Sequence, residues 1–168
     1  GLEILLQSLK KVIANNPDVV LLIAGKVWEN DFEGYQKIIS ENNLEDYCIL
    51  HTKFISHNDV RHYYCASDLV VLPYKKIYQS GVLMMALSYM RPVLTSNLPP
   101  LKEVISDNEN GFLFHSQDVE SLSCRLNEIL SDKKLLEEVR INGSKMVRKK
   151  YSWNEIGALT DKAYQTIY

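Results

Sequence analysis

The chain has no long apolar run; nothing approaches the roughly 20 residues that a membrane-spanning helix needs. It has no basic tract longer than Arg148-Lys149-Lys150. With 19 Lys and Arg against 21 Asp and Glu the formal net charge is −2, so no nucleic acid partner is expected. Cysteine is scarce: Cys48, Cys65 and Cys124 are odd in number and far apart, which fits free thiols in a reducing cytoplasm better than a disulfide frame or a metal site. The four histidines show no ligand spacing. No internal repeat, low-complexity tract, domain linker or signal-peptide pattern is present. The first residue is Gly1, and an amphipathic helix pattern follows at once, so the sequence reads as a piece of a longer protein.

What is present is enough apolar matter for one sizeable core: 46% of 168 residues, expected as one domain over 1–168 that ends in helices over 132–168. The stretch Asp68–Ser96 organises it. Asp68–Pro73 reads as a buried parallel strand, Tyr74–Gln79 as a polar loop, and Ser80 as the cap of a helix over Val82–Tyr89. Pro92 opens a second buried strand, Val93–Ser96. A loop entering a helix at the carboxyl end of a parallel strand favours an anion, through free N–H groups and the positive helix end. Gly81 lets a ligand or another backbone come close. Every strand–helix–strand unit has such a junction and most bind nothing, so spacing alone assigns no ligand.

Upstream, Leu2–Asn15 carries an apolar stripe (Leu2, Leu5, Leu6, Leu9, Val12, Ile13) and reads as a surface helix packed on a sheet. Val19–Ala24 reads as a fully buried strand ended by Gly25, then a loop over Lys26–Asp31, a helix Phe32–Asn42 and a strand Tyr47–His51. Ser56 and Asp59 form an S-x-x-D box before a helix Asn58–Ala66. Downstream come a turn at Asn97–Pro100, a helix Leu101–Ser106, a turn Asp107–Gly111 and a strand Phe112–His115. The helices Asp118–Leu130, Leu135–Lys150 (interrupted at Asn142-Gly143) and Trp153–Tyr168 close the chain. Strands alternating with helices predict an α/β fold, a doubly wound parallel sheet with its strand-end loops on one rim.

Several segments then match a family in register. Gly1-Leu-Glu-Ile-Leu-Leu resembles a K-G-x-x-x-L-L helix start, and VVLLIAG the strand L-x-I-x-G. HTKFISHNDVRHYYCASDLVVLP is similar to G-x-V-s-x-e-e-L-x-x-Y-x-x-A-D-v-x-v-x-P. MALSYMRPVLTSNLPPLKEVISDNENGFLF resembles E-A-m-A-x-G-x-P-V-v-a-s-x-x-g-g-x-x-E-v-I-x-d-g-x-x-G-x-L-v, and Tyr151-Ser152-Trp153 is typical of the tail. The chain thus resembles the C-terminal, nucleotide-sugar-binding half of a retaining glycosyltransferase of family 4, with the two-lobed GT-B architecture and a Rossmann-like lobe. The resemblance implies that Gln79, Ser80, Gly81 and Val82 hold the donor diphosphate, that Phe54 and Ile55 frame the nucleobase, and that Gly25 faces the donor. Lys75, with Lys76, lies in the phosphate-side loop as a candidate counter-charge, although a solvated loop charge is the plainer reading of either.

The sequence departs from the family at defined points. Ile77 and Met85 stand where relatives carry two glutamates eight apart, which contact the donor sugar and the ribose; neither side chain accepts a hydrogen bond of useful strength. Met90 replaces a glycine, and Pro99-Pro100 a Gly-Gly. The family's first strand, central in the usual sheet order and carrying the basic residues that neutralise the diphosphate, would precede Gly1. A gap in the sheet is therefore expected, closed by a neighbouring chain, by repacking or by residues beyond these. His57 and His115 sit near rim loops without an orienting partner in the sequence, and Met84, Met85 and Met90 read as core filling.

The expected chemistry is transfer of a sugar from a nucleotide diphosphate to a glycan or lipid-linked acceptor in surface polysaccharide synthesis. No cofactor and no metal are expected, which agrees with the lack of a D-x-D pair. The expected partners are a nucleotide sugar and an N-terminal acceptor half, with self-association possible through the incomplete sheet. The expected setting is cytoplasmic, peripheral at the inner membrane through that other half. The alternatives are a nucleotide-sugar 2-epimerase-like domain, for which catalytic carboxylates are not evident, and a degenerate non-catalytic nucleotide-binding or scaffold domain, which the glutamate losses fit. A phospho-receiver fails for want of an acidic cluster after the first strand.

Overall fold

The structure is a computed structural model that describes residues 1–27 and 32–166. Residues 28–31, within the expected Lys26–Asp31 loop, and 167–168, at the end of the last expected helix, lie outside the described residues. The order is α1 (Leu2–Ile13), β1 (Leu21–Ala24), α2 (Glu33–Glu41), a 3-10 turn (Glu45–Tyr47), β2 (Cys48–His51), α3 (His57–Ala66), β3 (Val70–Leu72), α4 (Gly81–Ser88), β4 (Val93–Ser96), α5 (Pro99–Lys102), β5 (Phe112–Phe114), α6 (Val119–Ser131), α7 (Lys133–Lys150) and α8 (Trp153–Gln165).

All strand pairings are parallel, but the strands form two sheets rather than one. One is β1–β2, with Leu21 opposite Cys48; the other is β3–β4–β5, with Val70 opposite Val93 and Leu94 opposite Phe112. β4 is paired on both sides, and all four of its residues are buried. α1 and α6 cover one face of the larger sheet, where Leu5, Val12, Leu94, Phe112 and Leu122 pack together. α4, α5 and α7 cover the other face around Leu83, Leu87, Val93, Leu101 and Val147. Burying each such side chain stabilises the fold by about 1.5–3 kcal/mol. A third cluster, Leu6, Leu9, Ile39 and Leu44, joins α1 and α2 to the small sheet. Leu21 of β1 packs into both the first and third clusters, whereas Cys48 and Leu50 of β2 pack only into the third. β1 is therefore the strand nearer the large sheet, and the break falls between β1 and β3, where the expected gap lies. α1 spans it from one cluster to the other.

Several expectations are corrected. Val19–Ala24 is not fully buried: the strand begins at Leu21, its first three residues are half-buried, and Val20 is 55% exposed. Among the described residues no strand neighbours the edge of β1 that faces the break. The stripe of α1 is buried as expected of a helix packed on a sheet, with Gln7, Lys10 and Lys11 exposed on its other side, and the burial extends to Ile4 and Ser8, where α6 packs beside it. Ser8 is accommodated by donating to the Ile4 carbonyl (2.7 Å) and the Val119 carbonyl (3.1 Å). The short helix expected at Leu101–Ser106 is α5, starting two residues earlier, since prolines suit a first helical turn whose N–H groups need no partner. α7 runs unbroken through Asn142-Gly143. At the S-x-x-D box, Ser56 Oγ donates to Asp59 Oδ2 (2.7 Å) and caps no backbone N–H. Met85 is not core filling but 43% exposed, whereas Met84 packs into the cluster beneath α4.

Candidate functional site

The carboxyl ends of β3, β4 and β5 are tied into one rim by side chains of the residues that follow them. The Tyr74 carbonyl accepts from Ser96 Oγ (2.6 Å) and Ser116 Oγ (3.3 Å). Asn97 accepts from the Ser116 N–H (3.1 Å), and its Nδ2 lies 3.1 Å from His115 Nδ1. The Tyr74 hydroxyl reaches Ser80 Oγ at 3.0 Å, and Ser80 Oγ accepts from the Leu83 N–H at 3.1 Å. Ser80 is thus the N-cap of α4, as its residue type predicts. The cap leaves the N–H groups of Gly81 and Val82 in the first turn, where a helix offers no carbonyl to them. A Cβ placed on Gly81 would meet nothing within 4 Å, so the backbone here faces open space. Gln79 is exposed beside it.

The loop before α4 is anchored on its other side by α1. Gly1 packs on the end of β3: a Cβ there would fall 1.7 Å from the Pro73 carbonyl oxygen. Two helix N-termini, those of α1 and α4, therefore flank the loop. Lys75 ion-pairs with Glu3 in the first turn of α1. Burial pushes the Glu3 carboxyl up, but the hydrogen bonds from Lys75 and from its own backbone N–H, with the charges of the Gly1 ammonium and Lys75, together outweigh it and leave the carboxyl below its ordinary value of 4.5. The same hydrogen bond, with the attraction of Glu3, raises the Lys75 ammonium above its ordinary value, with a smaller push from Tyr35. Lys76 lies over the Tyr78 ring at 5.8 Å from its centroid. Ile77 turns inward onto the core beneath α4, whereas Tyr78, Val82 and Met85 form an exposed apolar strip.

A cleft of about 230 Å³ lies at the carboxyl ends of β1 and β2, lined among others by Gly25, Lys26, Val27, Phe32, Tyr35 and Thr52. Gly25 takes a φ of 139°, which glycine alone adopts freely. The structure therefore brings Ser80, Gly81 and Val82 together with Lys75, and sets Gly25 in the neighbouring cleft. Phe54, 70% exposed, and Ile55, half-buried, are not among the residues lining that cleft. Sequence reasoning missed Glu3, the Tyr74 anchor and the Asn97–His115 contact. The first two form only when α1 docks against the end of β3 and Tyr74 folds back on Ser80, and no spacing rule carries either.

A family model described as "Glycosyl transferases group 1" matches residues 1–146. Among curated proteins, the uncharacterized glycosyltransferase MJ1607 of Methanocaldococcus jannaschii is 26% identical over 98% of this chain and 41% of its own length. The capsular polysaccharide biosynthesis glycosyltransferase CapM of Staphylococcus aureus is 24% identical over 95% of this chain and 42% of its own. This chain thus spans about two-fifths of the curated relatives it matches. Among solved structures, the C-terminal domain of a group 1 glycosyl transferase (LpcC) from Francisella tularensis superposes with a TM-score of 0.83 at 21% identity, covering 91% of this chain and 80% of that one. Anabaena Alr3699/HepE, solved in complex with UDP-glucose, gives 0.87 at 18% identity, covering 99% and 45%. These likenesses place the fold among the Rossmann-like lobes of GT-B proteins.

Proposed function

This chain belongs to the glycosyl transferases group 1 family, and on that premise we propose that it is the donor-binding half of a retaining glycosyltransferase that moves a sugar from a nucleotide diphosphate to a glycan or lipid-linked acceptor. The carrying observation is the start of α4: Ser80 caps the Leu83 N–H, the Gly81 and Val82 N–H groups lie in the first turn where a helix offers them no carbonyl, and a Cβ on Gly81 would meet open space. A diphosphate placed there gains backbone hydrogen bonds and the positive end of the helix. As the bond to the sugar breaks, charge grows on the leaving nucleoside diphosphate, and the same fixed dipoles stabilise it. Gln79 and Lys75 lie on the same loop as further polar contacts. Phe54 and Ile55 frame the base in this reading, and Gly25 leaves room for it beside the cleft.

The nucleotide-sugar substrate is supported by the HepE complexes with UDP and UDP-glucose, and surface polysaccharide synthesis by the name of the CapM relative. The acceptor and any general base belong to the remaining length that the relatives have and this chain does not span. The reading needs no resident metal and sets the protein in the cytoplasm, peripheral at the inner membrane; among the described residues no helix is long and apolar enough to cross a membrane.

Ile77 and Met85 favour a second reading, a nucleotide-binding domain without catalysis. The test is a thermal shift of the chain with UDP, GDP, ADP and their sugar conjugates, alongside Gly81→Asp. No atom obstructs a side chain at Gly81, and an acidic residue suits a helix start, so this variant folds while its carboxylate repels a diphosphate. One nucleotide is expected to raise the melting temperature of the parent and not of the variant, with a further rise from a sugar conjugate. Equal rises in both proteins would refute the α4 site; a rise from the bare nucleotide alone would favour the non-catalytic reading.

A further inference from the structure

We propose that Glu3 is a positioning residue that competes with the donor diphosphate for Lys75; this rests on the diphosphate site at the start of α4. Tyr74 is fixed at both ends, its carbonyl by Ser96 and Ser116 and its hydroxyl by Ser80, so the next residue, Lys75, emerges beside the capped end of α4. Its ammonium does not point freely at that end. It is held by Glu3, whose side chain is only about a quarter exposed and which sits in the first turn of α1. The pair has no net charge, so Lys75 is not offered to an anion as a free cation. An incoming diphosphate has a cost here: Lys75 must leave Glu3 to reach it, and Glu3 then keeps only the Gly1 ammonium, 3.4 Å away.

The cost depends on the charge of the ligand. A ligand carrying several negative charges gains enough from Lys75 to displace Glu3, and a singly or weakly charged one does not. Glu3 therefore lowers the affinity for the diphosphate more than for a monophosphate, and it eases release of the nucleoside diphosphate product by reclaiming Lys75. It touches neither substrate nor reacting atoms.

The experiment is calorimetric titration of the chain with whichever nucleoside diphosphate the thermal shift selects, and with its monophosphate. The proteins are the parent, Glu3→Gln, Lys75→Gln and the double variant. Glu3→Gln is expected to bind the diphosphate about three- to fivefold more tightly, the range of an exposed ion pair. Lys75→Gln binds it more weakly, and the double variant matches Lys75→Gln, because Glu3 acts only through the lysine. The gain shrinks as salt is raised and is smaller for the monophosphate. Misfolding cannot mimic a gain in affinity. Unchanged or weaker binding by Glu3→Gln overturns the proposal, as does a gain that survives in the double variant. In those cases the α4 site still stands if Gly81→Asp abolishes binding; a parent that binds no nucleotide refutes both.

Discussion

Met90 follows the C-cap residue of α4 with a φ of 57°, a left-handed backbone that costs most L-residues about 1–2 kcal/mol. The chain turns there to enter β4, and the family pattern that the sequence resembles has glycine at this place. The Met90 side chain joins none of the three core clusters. Met90→Gly is therefore expected to stabilise the chain by about 0.5–1 kcal/mol, measured as a shift of the denaturant midpoint; a loss of stability would show that the methionine packs usefully. Asn43 and Asn108, at φ 53° and 62°, are residues that tolerate this region, and Asn108 lies in the turn expected at Asp107–Gly111. Met90 gives no such signal. The same asymmetry runs through the candidate site. Ser80 was legible as a cap because its type and place agree, whereas Glu3 was one more acidic residue in a first helical turn until its contact with Lys75 was seen.

At the scale of elements, periodicity located the helices and strands well and misjudged their surroundings. Asn142-Gly143 looked like an interruption of the long helix, yet α7 passes through it because Gly143 packs where a side chain cannot. A Cβ there would lie 2.7 Å from the Asn110 carbonyl oxygen and 2.8 Å from Leu87 Cδ2. Gly143→Ala is expected to cost about 1–3 kcal/mol, since the backbone of the turn before β5 cannot yield as a side chain could; a change below a few tenths in a denaturation curve would contradict this close packing of α7 on α4. The prolines of α5 misled in the opposite direction, as turn formers that serve here as a first helical turn. β1 shows the limit of an apolar run as a signal. Its composition is that of a strand covered on all sides, and its half-buried state follows from what lies beside it.

The whole molecule is two parallel sheets carried on one helix, with open strand edges between them. The order of elements was legible because alternation and right-handed crossovers leave few topologies, and the place of the break because the family resemblance puts a central strand before Gly1. What covers the open surfaces was not legible, for no pattern within the chain encodes it. α8 shows the same: Trp153 is 87% exposed, and Ile156, Leu159 and Tyr164 are exposed with it. Unpaired parallel edges favour pairing with another strand, and exposed apolar residues favour association. By sedimentation velocity the chain is expected to self-associate as concentration rises. Extension at Gly1 by one apolar strand is expected to abolish that and raise the melting temperature. A monomer at all concentrations whose stability the extension leaves unchanged would mean that the break closes by repacking.

The central claim is that a nucleoside diphosphate binds at the start of α4, and the amide spectrum of the nitrogen-15-labelled chain, titrated with UDP, GDP and ADP in turn, tests it most directly. One nucleotide should shift the Gly81 and Val82 resonances first and furthest, with Leu83, already bonded to Ser80 Oγ, moving less. A titration that moves only residues of the Gly25 cleft, or moves none, would contradict it.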